Sequence, residues 1–272
     1  MFALDWLKRR PYSDLQPRFL RALESLVTFP GPERYDELAA LVPRASGVAL
    51  PRFVEESREA LRAVGGYEQH VARLRAVPSR PGHWHDFFNM VVWAHFPSVR
   101  WALNALHVDP EAGPVDPRNG RAPAQNAAAT FDESGIIVLS TSQGMLNELQ
   151  ALRFKVAFWE RRAELLETTR FWVVGHGMLE SLLNPRPGLV ARGVLWHVPT
   201  LPTTAQASDE LRFEIDSRVA AQVATWRAAR PVLDPIPVLA IPGYSDNDCG
   251  EFYDDARNVR FEPISRRPSA RP

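Results

Sequence analysis

The segment His83-Trp84-His85-Asp86-Phe87-Phe88-Asn89-Met90-Val91-Val92-Trp93-Ala94-His95-Phe96 constrains the chain most. At 3.6 residues per turn it is apolar nearly all round. A helix here has no face to offer water and has to be wrapped by other elements. Its longest apolar stretch, Phe87 to Phe96, carries Asn89 and His95 and falls well short of the roughly twenty residues that span a bilayer. A buried helix of a globular core is therefore expected, with no membrane partner. Pro97 ends it, because proline disfavours helix in the residue before it. A shorter helix follows over 98–107.

The same reading applies to 169–183. Phe171-Trp172-Val173-Val174-Gly175-His176-Gly177-Met178-Leu179-Glu180-Ser181-Leu182-Leu183 reads as a second buried helix, stopped by Asn184-Pro185-Arg186-Pro187-Gly188. Upstream, helical spacing predicts helices over 14–27, 33–42, 53–64 and 67–77, divided by Pro- and Gly-bearing turns that include Gly65-Gly66. Residues 109–124 read as a loop. Thr130 to Gly135 read as a turn into a β-branched strand ending at Ser140. Helices are expected over 143–153 and 156–166, and a strand over 189–198. A long helix over 208–228 has Ser208 as N-cap. Residues 235–242, interrupted by prolines, fit only an edge strand. Helices so far outnumber strands that the fold class is α+β, mainly α. The organisation is a single globular domain over 1–264, with a helical N-terminal region over 1–80 and the core over 81–264. A disordered tail follows over 265–272.

Composition narrows the function. The 272 residues carry 32 basic and 32 acidic side chains, a formal net charge of zero. That balance argues against a protein that coats DNA or RNA, where a basic excess supplies the affinity. Cys249 is the one cysteine, so no disulfide closes within the chain and no disulfide-linked partner is expected. It lies among Asp246, Asp248, Glu251, Asp254 and Asp255, the wrong surroundings for an activated thiol. The first ten residues place their basic charges after the apolar ones, unlike a secretory signal. The expected location is cytoplasmic.

Polar residues inside the two apolar segments carry the functional argument. His85 and Asn89 are four apart and share a helix face, as do His176 and Glu180. Asp86 sits beside the first pair, and Gly175 and Gly177 flank His176. A glycine costs a helix interior about 1 kcal/mol, so close backbone approach is expected there. Asp132 and Glu133 add two carboxylates. Buried polar groups need partners. If the segments pack together, imidazoles and carboxylates converge. His85, Asp132, His176 and Glu180 are then candidate ligands of zinc, iron or manganese. Such an ion activates water for hydrolysis. Without it, an oriented His–carboxylate pair is a general base.

Blander readings stand beside this one. Asp86 near a helix start suits the helix dipole. Asp132-Glu133-Ser134-Gly135 is ordinary turn chemistry, and His176 with Glu180 is a self-satisfied core pair. Asp246-Asn247-Asp248-Cys249-Gly250 approaches a calcium loop, but its glycine falls one position early. Arg118-Asn119-Gly120-Arg121 and Arg161-Arg162 offer phosphate-binding arginines. Nucleotide, serine-hydrolase and zinc-protease motifs are absent.

The string Trp84-His85-Asp86-Phe87-Phe88-Asn89, Phe96-Pro97, Leu103-Asn104, Phe131-Asp132-Glu133-Ser134-Gly135, Gly175-His176, Leu179-Glu180, Pro242-Gly243-Tyr244 and Phe252-Tyr253 resembles an uncharacterised bacterial family catalogued as domain of unknown function 3025. The resemblance spans roughly residues 60–262. It departs at Tyr244, where the family favours Trp, and at Gly177, where Ala is commoner. It implies a shared architecture and a shared surface that groups His85, Asp86, Asn89, Asp132, Glu133, His176 and Glu180. It implies no reaction. The first expectation is therefore a small enzyme, a metal-dependent hydrolase acting on a small molecule. His176 serves as ligand or base, Glu180 orients it, and His85, Asp86 and Asp132 complete the site. The second is a non-enzymatic scaffolding or binding protein in which the same residues form a structural polar network. A third is RNA or phosphate binding through the arginines.

Overall fold

The computed structural model describes residues 4–118, 120–201, 205–228 and 231–259. The tail expected at 265–272 lies outside the described residues, as does Asn119. Helix makes up 54% and strand 13%, so the fold is α+β and mainly α. No helix among the described residues is long and apolar enough to cross a membrane.

The N-terminal region is not purely helical. Helices at Pro17–Glu24 and Tyr35–Ala40 lead to strand β1 (Arg52–Glu55). A helix at Arg58–Val64 and helix α1 (Tyr67–Leu74) then return the chain to β2 (Ala76–Ser79), which pairs parallel with β1 from Arg52↔Ala76 to Glu55↔Ser79. Phe53 and Val77, expected at the ends of helices, are strand residues. Phe53, Val54 and Val77 carry aromatic and β-branched side chains, which pack better on a pleated surface. Gly65 and Gly66 divide the two helices with φ of 95° and 110°, which a residue with a β-carbon rarely adopts.

Helix α2 (Trp84–His95) is buried from Asp86 to His95, as its apolar circumference requires. Phe96 leaves the helical region at φ −134°, ψ 56°, and Pro97 takes the first position of α3 (Pro97–Val108), where its missing N–H costs nothing. Asp216 caps that helix start by accepting from Ser98 N at 3.0 Å and Val99 N at 2.9 Å.

Two expectations around the central sheet change. Residues 130–134 are not a turn but the last part of helix α4 (Pro123–Ser134). Its buried Ala124, Ala128 and Phe131 hold it against the core. The packing of that face overrides the turn preference of the Asp-Glu-Ser-Gly string. Nor is 169–183 one helix. Strand β3 (Gly135–Ser140) is buried throughout and needs a partner on each side. Thr169–Val173 supplies one as β4, antiparallel from Ser140↔Thr169 to Ile136↔Val173. Only then does the short helix α5 (His176–Ser181) begin. Strand β5 (Val190–His197) pairs parallel on the other side of β3, and β6 (Asp234–Pro237) closes the order β4-β3-β5-β6 as the edge. Helix α6 (Ala205–Thr225) packs along α3. It starts before Ser208, which is therefore inside the helix and not its N-cap.

Candidate functional site

Five helix ends meet at one cleft of about 450 Å³. The first turn of α2 presents His85, and one turn later Asn89. The last turn of α4 presents Asp132 and Glu133. Helix α5 opens with His176. Helices α1 and α3 contribute Tyr67 and Arg100 to the walls. The junction between α4 and α5 explains Gly175. A β-carbon there would meet Glu133 O at 2.6 Å and the backbone of Ser134 and Gly135, so the two chains touch backbone to backbone. At Gly177 a β-carbon would overlap the Glu133 carboxylate, which fills that space instead.

The two imidazoles face each other. His85 Nε2 lies 2.9 Å from His176 Nε2, with ring centroids 4.4 Å apart and planes at 73°. The Glu133 carboxylate approaches to 3.5 Å from His176 Nε2. One ligand atom from each of His85, Glu133 and His176 lies within 4.8 Å of the others. A carboxylate stands behind each ring. Glu180 Oε2 is 3.1 Å from His85 Nδ1. Asp132 Oδ1 is 3.7 Å from His176 Nδ1, a buried nitrogen with no hydrogen-bond partner among the described residues.

The site residues are thus grouped differently from the expectation. Glu133, expected to be catalytic but not a ligand, stands with the two histidines. Asp132 and Glu180, expected as ligands, lie on the far sides of the rings. Glu180 does not orient His176, its neighbour one turn along; it orients His85 on the other helix. Asp86 faces away. It accepts from Arg80 N at 2.6 Å and Arg80 Nε at 2.9 Å, while Arg80 Nη2 reaches its second oxygen at 2.8 Å. Burial would raise the Asp86 pKa, but the Arg80 hydrogen bonds and charge outweigh it and hold the carboxyl below its ordinary value. Asp86 therefore ties down the loop between β2 and α2. Asn89 bridges, donating to Tyr67 Oη at 2.7 Å and accepting from Arg100 Nη2 at 2.8 Å.

Arg100 and Tyr67 were not anticipated. Arg100 is 5% exposed and pairs with Asp132. Burial lowers its pKa. The signal was present: α3 holds no other Lys, Arg, Asp or Glu. A lone arginine among apolar residues has to find a buried partner. Tyr67 carried no such signal, since a tyrosine at a helix start reads as core. Burial lowers the His176 pKa to about 4, with the Arg100 charge acting in the same direction.

The other candidates resolve structurally. Asn247 is buried and its amide donates to Leu239 O and Ile241 O, both at 2.8 Å, pinning its loop to the chain after β6. Arg162 donates to Asn247 Oδ1 at 3.2 Å, to Tyr253 Oη at 2.9 Å and to Asp248. Arg118 pairs with Asp116 at 2.6 Å and Arg161 with Glu164 at 2.7 Å. Cys249 is exposed.

A family model described as protein of unknown function (DUF3025) matches residues 51–263. No curated protein and no solved structure matches the chain.

Proposed function

Because the chain belongs to the DUF3025 family, whose description assigns no activity, we propose from the site itself that it is a metal-dependent hydrolase. The ion is held by His85 Nε2, His176 Nε2 and the Glu133 carboxylate.

The observation that carries this reading is the pair of ring nitrogens 2.9 Å apart. A carboxylate can only accept, so Glu180 puts the hydrogen of His85 on Nδ1 and leaves Nε2 with a bare lone pair. Asp132 Oδ1 lies 3.7 Å from His176 Nδ1 and favours the same tautomer. Two lone pairs aimed at each other repel unless a cation lies against both. A shared proton is disfavoured at neutral pH, because burial and Arg100 hold His176 down to about 4. A divalent ion at the usual metal–nitrogen distance of about 2.1 Å reaches both nitrogens. The third donor, Glu133, is half-exposed and able to adjust.

Two imidazoles and one carboxylate are a donor set shared by zinc hydrolases and by iron and manganese sites. Three protein ligands leave room for water on the cleft side, and a bound ion lowers that water's pKa toward neutrality. The carboxylates behind the rings fix the tautomers and ring orientations. A cleft of about 450 Å³ suits a small-molecule substrate. A cytoplasmic setting is part of the same proposal, since nothing in the chain asks for an oxidising one.

The test is metal content of protein purified without a metal-binding tag, beside His176→Ala and Glu133→Ala variants. Near-stoichiometric zinc, iron or manganese in the parent, lost in both variants, is the expected result. It should be followed by hydrolysis of model esters or amides that stops on chelation. A parent protein that carries no metal and takes none up from added zinc overturns the reading in favour of a structural polar network.

A further inference from the structure

We propose that Tyr67 is a second point of substrate contact, its hydroxyl donating a hydrogen bond to an oxygen of a carboxyl- or phosphoryl-type group whose other oxygen lies on the metal. The proposal rests on the metal-site reading given above.

The hydroxyl's partners carry the argument. A phenol oxygen has two lone pairs and one hydrogen. Asn89 Nδ2 donates to that oxygen at 2.7 Å. The Arg100 guanidinium, which donates to Asn89 Oδ1, stands in the same cleft wall and has no acceptor to offer. The Asn89 amide nitrogen cannot accept in return. The amide orientation of Asn89 is set independently, because its oxygen accepts from Arg100 Nη2 at 2.8 Å. Arg100 is fixed in turn by Asp132. The hydroxyl hydrogen therefore has no acceptor within this network. Tyr67 lines the same cleft as His85, Glu133 and His176, and the hydrogen is left for whatever enters it.

The Asn89 donor on the phenol oxygen polarises its O–H and strengthens it as a donor. Burial keeps the phenol protonated, with its pKa pushed up to about 12. The spacing also fits. Asn89, which holds the hydroxyl, is one helical turn from His85, roughly 6 Å along α2. With a metal–oxygen bond of about 2.1 Å at one end and a hydrogen bond of about 2.7 Å at the other, a group with two oxygens on one carbon or phosphorus reaches across a gap of that order. As negative charge builds on the second oxygen during hydrolysis, a fixed donor there gains strength without having to reorganise.

The experiment uses the full-length protein loaded with cobalt(II), whose visible spectrum reports ligands on the ion. Parent and Tyr67→Phe proteins are titrated with acetate and, separately, with inorganic phosphate. We expect acetate, phosphate or both to bind roughly tenfold more weakly to Tyr67→Phe, the loss of one good hydrogen bond. A selective loss for acetate identifies a carboxyl-type group, and one for phosphate a phosphoryl-type group. Cobalt affinity and the anion-free spectrum should match the parent. Equal affinities for both anions overturn the proposal. So does a variant that has lost cobalt affinity, because Tyr67 would then act on the site's structure. A parent that binds no cobalt overturns the metal-site reading itself, a result distinct from the other two.

Discussion

Glu180 on α5 is hydrogen-bonded to His85 on α2 across the helix pair, at 3.1 Å, although its own helix carries His176 one turn away. The contact sets which nitrogen of His85 bears the hydrogen and where its Nε2 points. Glu180 is 42% exposed on its side chain, so removing it leaves no buried charge behind. Glu180→Ala should weaken zinc binding by about 10- to 100-fold, the range typical of carboxylates that back a ligand histidine. Its unfolding temperature without metal should stay close to that of the parent. Calorimetric zinc titration and a thermal melt of the metal-free protein check both halves.

Removing the metal should destabilise the fold by linkage. An ion that binds only the native state adds RT ln(1 + [L]/Kd), about 2.7 kcal/mol at a hundredfold excess over Kd. For a chain of this size that is a shift of roughly 5–10 °C in Tm. The expected result is a Tm that falls on chelation and recovers with added zinc, and a His85→Ala protein whose Tm does not respond to either.

The site was legible in part, and the boundary has physical reasons. His85, His176 and the two carboxylates of α4 stood out because polar groups in apolar surroundings are costly unless partnered. That Gly175 answers to close backbone approach followed from the same reasoning. The division between ligands and orienting groups did not show. Asp132 and Glu133 are adjacent in sequence, and only the seating of α4 against α5 decides which of them reaches the ring nitrogens and which pairs with Arg100. The antiparallel partner of β3 was hidden for a related reason. Thr169 to Val173 is apolar enough for a buried helix, and its strand state comes from the unpaired backbone of Gly135–Ser140, distant in sequence.

Arg100 and Asp132 form a buried pair, with side chains 5% and 15% exposed. Removing one partner of such a pair typically costs about 3–5 kcal/mol, because the other charge is left desolvated. Arg100→Met alone should lose stability on that scale, while Arg100→Met with Asp132→Asn should recover much of it. Denaturant unfolding of the two single variants and the double variant measures the difference. Additive losses would count against the pairing.

His95 should make stability fall in mild acid. Its ring is fully used in the neutral form, with Nδ1 donating to Val91 O at 2.8 Å and Nε2 accepting from Gln16 N at 3.2 Å. Burial, and then the Arg212 charge, lower its pKa to about 3. The unfolded chain takes up a proton near pH 6.5 while the folded one does not. Stability contributed by this group is therefore complete above about 6.5 and is lost as pH falls toward about 3. The slope is about 1.4 kcal/mol per pH unit well inside that window. His95→Gln should be less stable at pH 7 yet show a shallower decline between pH 6 and 4. Denaturant midpoints measured across that range test it, and parallel declines for the two proteins would rule it out.

The outer strand β6 carries Pro235 and Pro237 opposite Arg192 and Val190. Val238 N bonds inward to Leu189 O at 3.2 Å, so by alternation the proline nitrogens face outward. A foreign strand approaching that margin of the sheet meets carbonyls but no N–H at either proline, and it cannot build a continuous ladder. That margin of the sheet is thereby a poor template for a further strand.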